Sequence, residues 1–117
     1  MSRAARTIFV FGLYLALTGL TFGFVPNLAL PLLGLPEATE PWIRMVGVLA
    51  LALAYFFIRS ARAESRAFFG WTVHVRLFVF ASFVILALLY GLPSLAAFGL
   101  IDLLGATWTF WALRSER

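Results

Sequence analysis

The chain has 117 residues, of which 63% are hydrophobic and only 12% charged, whereas soluble domains are about a quarter charged. With a mean hydropathy of +1.00, this composition excludes an ordinary soluble domain and points to one compact membrane domain over residues 1–117. The net charge is +4 and every basic residue is an arginine, but the arginines flank apolar runs, which speaks for membrane orientation and against a nucleic-acid partner.

Cysteine is absent and His74 is the only histidine. Disulfides, thiolate chemistry and a multi-histidine metal centre within one chain are therefore excluded, and the residues name no cofactor. No phosphate-binding glycine loop, HExxH or nucleophile elbow occurs.

Four apolar runs follow in chain order, at residues 7–25, 42–58, 73–91 and 94–113. Each has roughly 17–20 residues, enough to cross a hydrocarbon core of about 30 Å as a helix. The expected fold is an all-α membrane protein, a bundle of four transmembrane helices with an interfacial outer loop. The first run follows Arg3 and Arg6 like a signal peptide, but it is too long for a signal core and lacks a small-residue cleavage site, so it is expected to be retained. Its Gly12, Ala16, Gly19 and Gly23 are spaced 4, 3, 4 and form a stripe that admits a close helix neighbour, within the chain or in a second copy.

Residues 26–41 contain Pro26, Pro31, Pro36 and Pro41 among several leucines. Prolines bar a long helix, and the leucines favour a segment lying on the membrane surface. Thr39 is a plausible N-cap for the second span, with Pro41 in its first turn. Phe68, Phe69, Trp71, Trp108 and Trp111 are expected at the inner interface, Trp42 and Tyr90 at the outer one. Gly91, Leu92 and Pro93 form a tight turn joining the last two spans.

Arg3, Arg6, Arg59, Arg62, Arg66, Arg76, Arg114 and Arg117 all fall on one side if the spans alternate, while Glu37 and Glu40 lie on the other. The positive-inside rule then makes both termini cytoplasmic, in a multi-pass protein of the cell inner membrane. His74 and Arg76 fall at the cytoplasmic end of the third span.

Asp102 is the one charge within the fourth span. A carboxylate there costs roughly 2.5–3.5 kcal/mol on insertion scales and faces a partner or a water-filled cavity. Gly99, Gly105, Ala106 and Thr109 share its face, with Leu95 and Phe98 as an apolar lid. Leu100, Ile101, Leu104, Trp108 and Trp111 form the opposite, lipid-facing side. Arg44, near the outer end of the second span, is the expected partner of Asp102, and Tyr55 lies on the Arg44 face. The pair is either a structural ion pair or the polar end of an outward-facing pocket, with Asn27, Thr18, Thr21 or Tyr90 nearby.

The run FVPNLALPLLGLPEATEPWIRMVGVLALALAYFFIRSAR, with a further arginine at the start of span three and a short outer turn, resembles a broad group of small bacterial four-helix membrane proteins that are DoxX-like. The resemblance implies a four-helix bundle in a bacterial inner membrane. Some DoxX-like proteins are associated with quinone-linked redox complexes, but no residue here carries that chemistry over. The expected function is non-enzymatic: an accessory subunit of a larger membrane complex, or a binder of a lipid-like or hydrophobic molecule. The alternative is a small homo-oligomeric transporter with Asp102 as its coupling carboxylate. An intramembrane enzyme built on Asp102, Arg44 and Tyr55 ranks behind both, for want of a second acid or base at suitable depth.

Overall fold

The computed structural model describes residues 1–39 and 41–116. Glu40 and Arg117, two of the charges used to orient the chain, lie outside the described residues. The described chain is helical, with no strand. Its elements are α1 (Arg3–Phe24), α2 (Pro26–Ala29), a 3-10 turn (Pro31–Leu33), α3 (Trp42–Arg62), α4 (Arg66–Tyr90) and α5 (Pro93–Ser115). The four long helices are long and apolar enough to cross a membrane. At 1.5 Å per residue they measure about 32–38 Å.

Each long helix runs past the apolar stretch that marks it in the sequence. The difference matters most in α4, which begins at Arg66 instead of near residue 73. Arg76 is thereby moved from the end of a helix to about 15 Å inside one.

The helices pack as two antiparallel pairs. In the first, α1 lies on α3 through its glycine stripe. A methyl group on Gly19 would come within 2.7 Å of Leu51 Cγ and 2.8 Å of the Gly47 carbonyl oxygen. One on Gly12 would come within 3.0 Å of Ile58 Cγ1. Gly12 and Gly19 thus serve packing within the chain. In the second pair, Gly99 of α5 lies against Phe80 and Phe83 of α4. The two pairs join mainly where α1 meets α5, whereas the α3 and α4 backbones stay apart and meet through side chains near the termini end, with the Phe57 and Phe68 rings 5.5 Å apart.

Both chain ends and the turn between α3 and α4 meet at one end of the bundle. Ser2 caps α1, its Oγ accepting from the Ala5 N–H at 3.0 Å. Ser2 in turn donates its own N–H and hydroxyl to Glu64, at 2.6 and 2.7 Å. Glu116 accepts from the Ala4 N–H and pairs with Arg66 at 2.9 Å. Two carboxylates from distant segments thus sit at the positive end of the α1 dipole. The hydrogen bonds from Ser2 hold the Glu64 carboxyl below its usual range, and the hydrogen bond from Arg66 does the same for Glu116. The principal core cluster lies at this end, around Ile8, Phe11, Phe57, Ala61, Phe69 and Ala112.

At the opposite end, the loop from α1 to α3 is two short helical turns and an irregular stretch. The Asn27 amide pins it by donating to the Ala38 carbonyl at 2.9 Å and accepting from the Ala38 N–H at 2.7 Å. Leu30 is buried beneath, while Leu28 and Leu32 are exposed, a division suited to a segment lying across an apolar surface. Gly91 closes α4 with φ of 65°, a left-handed conformation that glycine adopts without strain.

Two local expectations are corrected. The residue preceding the first turn of α3 is Pro41, with no side-chain cap, so Thr39 is not the N-cap. Phe69 is fully buried in the core instead of lying at the interface, because the early start of α4 turns it towards α1 and α3. Trp42, Trp71, Tyr90, Trp108 and Trp111 are all exposed, as are Leu100, Ile101 and Leu104 on the same outer side of α5.

Candidate ligand cavity

The gap between α3 and α4 opens into a cavity of about 470 Å³, within the roughly 300–1,000 Å³ of small-molecule sites. On α3 its wall is Ile43, Val46, Ala50, Leu53 and Phe57, spaced 3, 4, 3, 4 along one helix face. On α4 the wall is Val75, Arg76, Val79 and Phe83. Leu30 and Leu35 from the loop roof it, and Leu95 and Phe98 of α5 stand between the roof and Asp102, in the lid position expected of them. Val46, Leu53 and Val75 line the cavity yet are 49%, 49% and 58% exposed. The cavity therefore opens sideways, between α3 and α4, towards the surface that lipid covers.

The polar lining is small: Tyr14 and Thr18 of α1, Arg76 of α4 and Asp102 of α5. Arg76 is only 2% exposed. Its Nε donates to the Thr72 carbonyl at 3.2 Å, and its Nη2 donates to Thr72 Oγ1 at 2.9 Å and Thr109 Oγ1 at 2.8 Å. The hydroxyl directions then follow. Thr72 donates onward to the Phe69 carbonyl. Thr7 donates to the Ala4 carbonyl, so the 2.7 Å contact between Thr7 and Thr109 has Thr109 as donor. Each hydroxyl hydrogen is committed, and each chain of bonds ends on a main-chain oxygen.

Three of the five guanidinium N–H groups are thus satisfied, all by neutral oxygens. The remaining nitrogen, Nη1, has no hydrogen-bond partner. It lies 3.0 Å from where a methyl group on residue 105 would be. Gly105 thus lets the guanidinium and the Phe11 ring pack closely on α5, where a methyl group would crowd both. The Phe11 ring, centred 4.7 Å from Arg76 Cζ, supplies π-electron density to the cation.

Asp102 is half-buried, three residues from Gly105 towards the loop end. It and Arg76 lie within electrostatic range of each other, and so do Asp102 and Tyr14. The only ion pair within 4.0 Å among the described residues is that of Arg66 and Glu116, so Asp102 and Arg76 face the same space without direct contact.

Two expected site residues lie elsewhere. Arg44 is exposed and donates through Nη1 to the Gly23 and Phe24 carbonyls at 2.8 and 3.2 Å. It caps the last turn of α1, where carbonyls lack helical partners. The α3 face it shares with Gly47 and Leu51 is turned to α1, not to α5. Tyr55 is 59% exposed, with the Arg59 guanidinium 5.8 Å from its ring centre. Thr18 does line the cavity, whereas Asn27, Thr21 and Tyr90 do not.

Sequence reasoning placed Thr109 on the Asp102 face and Arg76 at the end of its span, and it passed over Tyr14 and Thr72. The usable signal was the cluster Gly105, Ala106 and Thr109 beside Asp102: small residues make room, and a threonine offers an oxygen. No protein-family model matches the chain, and neither a curated protein nor a solved structure is similar to it at a significant level.

Proposed function

We propose that this is a non-enzymatic membrane protein that binds a lipid-like amphiphile in the cavity between its two helix pairs. The observation that carries the reading is Arg76: a buried cation on the wall of an apolar cavity, with one nitrogen lacking a hydrogen-bond partner. A buried polar group left unpaired costs about 1–3 kcal/mol, more if charged. A head-group oxygen recovers that energy once the side chains that seal this nitrogen from the cavity move aside to admit it.

Apolar walls alone do not select a ligand in a bilayer, because lipid tails are as apolar as the walls. Selection rests on the head, near Arg76 and Asp102, while the tail follows the α3 face from Phe57 towards Val46 and leaves through the side opening. The arginines at the end holding both termini support a cytoplasmic placement of that end, in an inner membrane. The DoxX-like resemblance agrees with a bacterial source for that membrane.

The test is chemical analysis of the protein purified from its own membrane in mild detergent. We expect about one amphiphile per chain, resolved by mass spectrometry. Ala50→Phe places a ring at a buried position of the cavity wall; it should cost about 1–3 kcal/mol by overpacking and leave a folded protein without the amphiphile. An empty wild-type protein, or equal occupancy in the Ala50→Phe variant, would defeat the reading.

A further inference from the structure

The amphiphile-binding reading leaves open what kind of head the cavity accepts. The charges answer it. The cavity wall carries one cation, Arg76, and one anion, Asp102. With both ionised the site is formally neutral. The two do not pair directly. Arg76 is instead held by threonine and main-chain oxygens and by the Phe11 ring, so it needs no carboxylate to stay in place.

Their spacing is also defined. Arg76 Nη1 lies beside Gly105, and Asp102 is three residues further along α5, about 4.5 Å in rise and on the same face. An arginine only donates hydrogen bonds, and an ionised aspartate only accepts them. The space between them is therefore dipolar, with a donor on the termini side and an acceptor on the loop side. Tyr14, which lines the same stretch, can do either.

We propose that the cavity selects an amphiphile with an uncharged head, one that places an acceptor oxygen against Arg76 and a hydroxyl donor against Asp102. A monoacylglycerol has this chemistry. This rests on the amphiphile-binding reading and narrows it. An anionic head would leave the site with a net negative charge, and an amine head with a net positive one. Neither excess has a counter-charge among the polar residues of the wall, and charge is costly where the surroundings polarise poorly.

The experiment offers the protein an equimolar mixture of monooleoylglycerol, oleate and oleylamine, which share a tail length and differ in head charge. The protein is held in phosphatidylcholine nanodiscs in mildly alkaline buffer, where oleate is ionised. The bound probe is counted by native mass spectrometry. Monooleoylglycerol should exceed each charged probe about tenfold, the ratio that corresponds to roughly 1.4 kcal/mol. Asp102→Asn leaves the cation uncompensated, so the preference should invert in favour of oleate.

A wild-type protein that prefers oleate or oleylamine overturns the neutral-head proposal and leaves amphiphile binding standing. An Asp102→Asn protein that folds and keeps the wild-type ranking overturns it too, since the carboxylate would then play no part in selection. If Asp102→Asn fails to fold, the wild-type ranking alone decides. If no probe binds, both the proposal and the reading beneath it fall.

Discussion

Thr109→Val tests the polar network at the centre of the bundle. Valine keeps the shape of threonine and removes only the hydroxyl. That hydroxyl accepts from Arg76 Nη2 at 2.8 Å and donates to Thr7 at 2.7 Å, and Thr109 is fully buried. Water cannot take its place. A hydrogen bond to a charged group contributes about 1.5–3 kcal/mol, while neutral interhelical bonds in a bilayer average about 0.6 kcal/mol. The sum for Thr109→Val is a loss of roughly 2–3.5 kcal/mol. Thr7→Val removes two neutral links, to Thr109 and to the Ala4 carbonyl, and should cost about 1 kcal/mol. The double variant should be little worse than Thr109→Val, because the shared bond is already gone. Reversible unfolding in mixed micelles gives these values, and Thr109→Ser, which keeps the oxygen, should recover most of the loss. If Thr109→Val lies within about 0.5 kcal/mol of wild type, Thr109 does not hold Arg76 and the assignment of donors and acceptors is wrong.

Two further predictions concern packing and the termini. Gly47→Ala drives a methyl group into the Gly23 main chain and to within 2.8 Å of the Gly19 oxygen, and should cost about 1–3 kcal/mol. Gly23→Ala meets nothing within 4 Å and should be neutral or slightly stabilising through helix propensity; equal losses in a thermal melt would refute the α1–α3 contact. Glu64 and Glu116 are held below their usual range by hydrogen bonds present only in the folded chain. Their stabilisation is therefore full above the unfolded value of about 4.3 and is lost as pH falls through their lower folded values. An acid titration of stability should show this loss, and Glu64→Gln should reduce it; an unchanged profile would mean that the carboxylate does not cap α1.

The helices were legible because long apolar runs have few alternatives, and the inward face of α5 because one carboxylate and three small residues fix its rotation. The cation that shares the cavity with Asp102 was not legible in the same way. Apolar runs mark where a helix is free of charge, not where it begins. Taking the third span from residue 73 left Arg76 at an interface, although the helix starts at Arg66. Arg44 then stood as the obvious cation by depth alone. Its true role depends on the end of α1 lying beside it, with unpaired carbonyls at Gly23 and Phe24. That is tertiary information that no spacing within α3 contains. Tyr55 failed for the same reason: a helix face was read correctly and assigned to the wrong neighbour.

The two helix pairs are joined covalently only by the short turn between α3 and α4, where the chain termini also meet. At the other end each connection stays within its own pair: the proline-rich loop links α1 to α3, and Gly91 and Leu92 link α4 to α5. Only side chains cross between pairs there, such as the Phe22 and Phe98 rings, 6.2 Å apart. The molecule is thus built like a clothes-peg, sprung at the termini and free at the loops. Separating the pairs at the loop end therefore breaks side-chain contacts alone, whereas at the termini end it must also break the hydrogen bond from the Ala4 N–H to Glu116 and strain the covalent turn.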